Sequence, residues 1–146
     1  LYKLALNSSD PAGTATLSIL PGANFDDNGY RNAGSPHNPD NVESTKSAIW
    51  FQEDPGGHQQ FTGATNARVW RYDLATHQLK VVAEVDQTPS PVTLSVAAWE
   101  SSGIVDVSRI FGPGTFLLDV QAHGWDLPRL PQSRPAWRPG VWRARS

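Results

Sequence analysis

The chain has no cysteine and no methionine, little charge, and no long apolar run. Without cysteine there are no disulfides, no thiolate metal sites and no cysteine nucleophile, although the compartment stays open. No stretch approaches the ~20 apolar residues a membrane helix needs, and no leader is visible at Leu1, so a membrane partner is not expected. Charged residues are only 18% of the sequence, so its polarity comes from Gly, Ser, Thr, Asn and Pro. Acid is missing altogether from the last twenty residues, which carry five Arg, while the preceding 126 residues hold all 14 acidic residues against seven basic ones. A body of charge −7 argues against nucleic acid, because phosphate contacts need clustered Lys and Arg, and it suits divalent cations.

What is present is turn chemistry. Twelve Gly and twelve Pro punctuate short stretches with a period of two, the signature of half-buried strands. Strands are expected at 1–6, 14–20, 47–52, 67–72, 78–85, 100–107 and 115–122, with 93–99 as a further candidate. The clearest hairpin runs from Ala67-Arg68-Val69-Trp70-Arg71-Tyr72 through the Asp73–His77 turn to the Val-rich partner Gln78–Val85. No stretch holds a helical period over three turns, so the fold class is all-β. Pro21–Asn41 is a long polar loop, a length usually reserved for function or mobility. Two regions follow: a β domain over 1–126 and a Pro/Arg/Trp-rich extended tail over 127–146. Trp137 and Trp142 offer that tail a means of docking onto a neighbour.

Aromatic-rich strand, Tyr-Asp, short turn and Val-rich strand is a pattern repeated once per blade in many β-propellers. A blade takes about 40–50 residues and a closed ring four to eight blades, so 1–126 holds about two to three. The expectation is a partial β-propeller, with a small β-sandwich as the alternative. An open stack of blades favours association, either as a homo-oligomer or with the remainder of a ring.

Pro39-Asp40-Asn41-Val42, Ile49-Trp50-Phe51-Gln52-Glu53-Asp54-Pro55-Gly56 and Ala67-Arg68-Val69-Trp70-Arg71-Tyr72-Asp73 resemble the C-terminal part of PhoX-type alkaline phosphatases. Trp99-Glu100-Ser101-Ser102-Gly103-Ile104-Val105-Asp106 and Phe116-Leu117-Leu118-Asp119-Val120-Gln121-Ala122-His123 continue the match in order, over roughly residues 38–123. That resemblance implies a propeller with calcium, and in characterised members iron, held by carboxylates near a central channel. It also implies hydrolysis of phosphate monoesters and export by bacteria to the periplasm or beyond. The iron-binding segment of those enzymes has a Cys beside paired Glu residues. Neither occurs here, so calcium is the expected cofactor ahead of iron.

Candidate ligands follow from oxygen chemistry. Calcium takes six to eight oxygens, and Asp40 with Asn41 offers two at the end of the long loop, although an Asx-turn would use the same groups. Glu53 and Asp54 end an apolar strand. Neighbours on a strand face opposite ways, so at most one points inward unless the strand ends there. Glu100 is the third acidic candidate; it shares a face with Asp106 unless Gly103 marks a bulge. Asp119, Gln121 and His123 fall on one face of one strand, either a polar channel wall or an ordinary solvent face. The metal set is therefore Asp40, Asn41, Glu53, Asp54, Glu100 and Asp119, and the catalytic set Glu53, Glu100 and His123. The Asn24–Gly29 segment has a calcium-loop flavour without EF-hand spacing. His37, His58 and His77 lack zinc spacing, and Ser101-Ser102-Gly103 lacks a nucleophile elbow. Two functions compete: a calcium-dependent hydrolase acting on small phosphate esters, and a non-catalytic binding or self-assembly module.

Overall fold

The computed structural model describes residues 1–21, 34–54, 65–88, 90, 93–94 and 96–123, together with the backbone of 142–144. The fold is nearly all β. Strands β1 (Tyr2–Leu6) and β2 (Ala15–Ile19) form a separate hairpin. Strands β3 (Pro39–Ser44), β4 (Ala48–Glu53), β5 (Arg68–Asp73) and β6 (Leu79–Val85) run as an antiparallel meander. A last strand, β9 (Trp142–Ala144), pairs with β6 to complete a five-stranded sheet. Strands β7 (Glu100–Asp106) and β8 (Phe116–Gln121) form a third sheet, linked by the single-turn helix α1 (Ser108–Phe111). Among the described residues no helix is long and apolar enough to cross a membrane.

β4 and β5, the inner strands of this sheet, carry large side chains in both directions and are buried or half-buried on both faces. On one face, Phe51 stacks on Trp70 at 6.3 Å and Tyr72 donates its hydroxyl to the Pro21 carbonyl at 2.7 Å. On the other, Trp50 meets Phe116 of β8 at 4.3 Å and Gln52 reaches the backbone of β7. The β7–β8 sheet thus packs onto the β4 face. A second core of Ala67, Val85 and Trp99 lies at the end of β6, with Leu94, Ala98, Val120 and Ala122 around it.

The turn from β5 to β6 is built by Asp73. Its carboxylate accepts the amides of Ala75 (3.0 Å) and Thr76 (2.9 Å) and the Arg71 guanidinium (2.8 Å). The Thr76 hydrogen bond first, then Arg71, holds the Asp73 carboxyl well below the usual carboxylate range. His77 closes the turn at φ 59°.

Several expectations change. The apolar run 93–99 is not a strand where it is described. Ala97 adopts φ 62°, its amide is taken by Asn66 and that of Trp99 by Gln87, so side chains replace a ladder. Asp40 and Asn41 lie within β3 at a register shift between Pro39 and Val42, not at a loop end. The Pro/Arg-rich tail supplies β9 through 142–144, so part of it belongs to the β sheet. The Asn24–Gly29 segment, His58, Pro55, Gly56 and the tail from 127 to 141, Trp137 included, lie outside the described residues.

Gly103 does mark a bulge. From Ser102 to Val105 β7 advances three residues while β8 moves two, from Asp119 to Leu117. Gly103 sits at φ +62°, and a Cβ there would lie 2.8 Å from Asp119 Oδ1. The extra residue reverses the parity of β7. Asp106 therefore faces away from Glu100 and instead accepts the Ser108 amide at 2.8 Å, leading into α1. Gly103→Ala is expected to cost about 1–3 kcal/mol through left-handed strain and displacement of Asp119, read as a lower urea midpoint.

Candidate functional site

Glu53 and Asp54 diverge. Glu53 turns to the Phe51/Trp70 face and is fully buried. Continuing the β4–β5 register beyond Gln52↔Val69 places it opposite Arg68. Its Oε1 accepts the His37 amide, Arg68 Nη2 and Trp70 Nε1, each at 2.8 Å. Its Oε2 accepts the Arg68 amide and Nε, both at 3.0 Å. A carboxylate has about four lone-pair directions, and five donors occupy them. The residue expected to ligate a cation or act as a base is instead the anion of a buried ion pair. Arg68 Nη2 also donates to the Ser35 carbonyl at 2.7 Å, and its guanidinium lies 4.7 Å from the Trp70 ring centre. The unit pins segment 34–37 to the central strands.

Asp54 turns the other way, toward the β7–β8 sheet. Its backbone is fixed by Asn38, which stands at φ 44°. The Asp54 amide donates to the Asn38 carbonyl at 3.0 Å, and Asn38 Nδ2 donates to the Asp54 carbonyl at 2.7 Å. This clamp brings the Asp54 side chain to the neighbourhood of the Glu100 carboxyl. On the far side, His123 Nε2 lies 3.2 Å from Glu100 Oε1. The Asp54 hydrogen bond, and then burial, raise the Glu100 carboxyl above its ordinary value, while His123 pulls it down. Glu100 is largely buried and His123 is 61% exposed, so the group is reached by solvent from the imidazole side.

The other predicted ligands stand apart from this trio. Asn41 Nδ2 donates to Asp40 Oδ2 at 3.1 Å and to Ser102 Oγ at 3.3 Å. Asp119 is paired with Ser102 across the hairpin and is exposed, as is Gln121. Asp119, Gln121 and His123 thus share a face with solvent. Among the described residues no three His, Asp or Glu side chains are arranged to hold a metal ion by themselves.

No protein-family model, curated protein or solved structure matches this chain. Two neighbouring carboxyls resist double ionisation, a conflict that a cation relieves, and an imidazole beside them can donate or accept a hydrogen bond. Asn38, which aims Asp54, and Arg68, which engages Glu53, were not anticipated as site residues. Asn tolerates positive φ, a weak signal. The place of Arg68 opposite Glu53 emerges only with the strand register.

Proposed function

We propose that the chain is a part of a calcium-dependent, phosphoesterase-like β-propeller of the PhoX type, to which it contributes Asp54, Glu100 and His123. The observation that carries this reading is the contact of His123 Nε2 with Glu100 Oε1 at 3.2 Å, at a carboxyl that the neighbouring Asp54 raises above its ordinary value. Neighbouring carboxyls resist double ionisation, and a hard cation that takes the place of a proton relieves the conflict. Calcium suits oxygen donors, and Asp54 and Glu100 give it two carboxylates; water, backbone carbonyls and other parts of a ring complete its six to eight ligands. Bound there, calcium would neutralise the phosphate of an ester and polarise it. His123, open to solvent, is placed to give a proton to the leaving alkoxide. The four-stranded meander β3–β6 has the form of a blade, and the β7–β8 sheet lying on its β4 face is in keeping with neighbouring blades. The resemblance in motif order supports the same choice of substrate, and with it export from a bacterial cell.

The competing reading, a non-catalytic binding module, draws support from Glu53, the strongest acidic candidate in the sequence, whose donors are all internal. Calcium titration separates the two. The fold holds a proton on Glu100 more tightly than the unfolded chain does, so stability falls as pH rises above 4.5 through the raised value. Above that window calcium is expected to raise the melting temperature, and Glu100→Gln is expected to remove the calcium shift. The variant without calcium should be the more stable protein there. Equal calcium shifts in both proteins would remove Glu100 from the site. Chelator-sensitive turnover of a chromogenic phosphate monoester that is lost in Glu100→Gln supports the hydrolase; a calcium shift without turnover supports the binding module.

A further inference from the structure

The β1–β2 hairpin sorts its side chains by polarity. The cross-strand pairs Tyr2↔Ile19, Leu4↔Leu17 and Leu6↔Ala15 lie on one face, and Lys3↔Ser18 and Ala5↔Thr16 on the other. All six residues of the apolar face are exposed; Tyr2 is 70% and Leu17 63% accessible. An isolated two-stranded hairpin is marginal in water, and one with an uncovered apolar face needs a covering layer.

We infer that this face packs against the same face of a second copy of the chain. Three observations select that occupant. The face carries no charge and only one basic residue, Lys3, lies on the reverse side, which gives little attraction to an anionic membrane. It also tapers: Tyr2 and Ile19 are bulky at one end, Leu6 and Ala15 smaller at the other. A two-fold axis crossing the strands lays the bulky end of each copy over the small end of the other, with Leu4 over Leu4 and Leu17 over Leu17. A self-complementary patch is what an isologous dimer requires. Finally, the area is sufficient. Five large side chains exposed by about half to two-thirds give on the order of 500 Å² per copy, taking roughly 150–200 Å² for each. Two copies reach the ~1,000 Å² that a specific interface clears, the size of a weak, micromolar dimer. This inference is independent of the calcium site on the other sheets.

The experiment is sedimentation equilibrium of the full chain with Leu17→Glu and Leu17→Lys variants. Because Leu17 is exposed, both variants are expected to keep the far-UV circular dichroism and melting temperature of the parent. The parent should dimerise with a dissociation constant in the micromolar range. Each variant alone should weaken dimerisation more than tenfold, since like charges meet at the axis. An equimolar mixture of the two should dimerise again, because Glu then meets Lys. A parent that stays monomeric at about 100 µM, well above that range, overturns the inference. So does a dimer that persists in both variants, or a mixture that fails to associate. Monomeric parent that binds neutral phosphatidylcholine vesicles, with binding lost in Leu17→Glu, would assign the face to a membrane instead.

Discussion

Glu53→Ala is expected to unfold the chain or bring it close to unfolding, with a loss of about 3–5 kcal/mol. Typical domains hold only about 5–15 kcal/mol in all. The magnitude follows from what remains. Removing the carboxylate leaves the buried Arg68 guanidinium, the Trp70 indole N–H and the His37 amide without their acceptor. A buried uncompensated cation costs far more than the net worth of the pair. Glu53→Gln does little better, because its amide nitrogen would face donors on one side. The distinguishing experiment is a double substitution. Glu53→Leu with Arg68→Met removes both charges and fills the space, so its urea midpoint should lie above that of either single variant. A calcium ligand would behave differently: Glu53→Ala would keep the midpoint and abolish the calcium shift. That outcome would return Glu53 to the metal site.

The same residue shows where a sequence stops being informative. Alternation along β4 separates Glu53 from Asp54 only while the strand lasts, and β4 ends at Glu53, so the Asn38 clamp rather than the pleat fixes the backbone of Asp54. Alternation did not say which of the two would reach solvent. That depends on Arg68, fifteen residues away, standing opposite through the β4–β5 register. An acidic residue at the end of an apolar strand reads equally as ligand or buried anion until its cross-strand neighbour is known. Glu100 and His123 show what strand pairing can bring together. Both sit at the same end of one hairpin, so pairing β7 with β8 brings them together across 23 residues of sequence. Gly103 was legible for a local reason, because a glycine inside a strand pattern commonly marks a bulge. The run 93–99 misled for the opposite reason: its composition suits a strand, but Asn66 and Gln87 capture its amides. The all-β class and the β5–β6 hairpin depended on periodicity and turn residues and were plain throughout. How the three sheets pack on one another depends on contacts that no local pattern encodes.

Gln52→Leu carries the second large effect, and it links stability to the site. A bulge frees backbone groups from the ladder, and at Gly103 two of those groups face the buried interior. Gln52, itself wholly buried, satisfies both: its Oε1 accepts the Ile104 amide at 3.0 Å and its Nε2 donates to the Ser102 carbonyl at 3.3 Å. Leucine matches the volume and supplies neither bond. Each buried group left unpaired costs about 1–3 kcal/mol, so for the two groups a loss of roughly 2–6 kcal/mol is expected. Hydrogen exchange gives a residue-level readout: the Ile104 amide should lose protection ahead of its neighbours in β4 and β5. Because these bonds fasten β7 to β4, loosening them also separates Glu100 from Asp54, and the calcium-induced rise in melting temperature should shrink with them. Gln52→Glu is the control. It keeps an acceptor for Ile104 but sets a carboxylate against the Ser102 carbonyl, so its deficit should narrow as pH falls and the side chain regains a donor proton. A Gln52→Leu protein with an unchanged midpoint and a protected Ile104 amide would mean that the β7–β8 sheet is held in place by other contacts, such as Trp50–Phe116 and Asn41–Ser102.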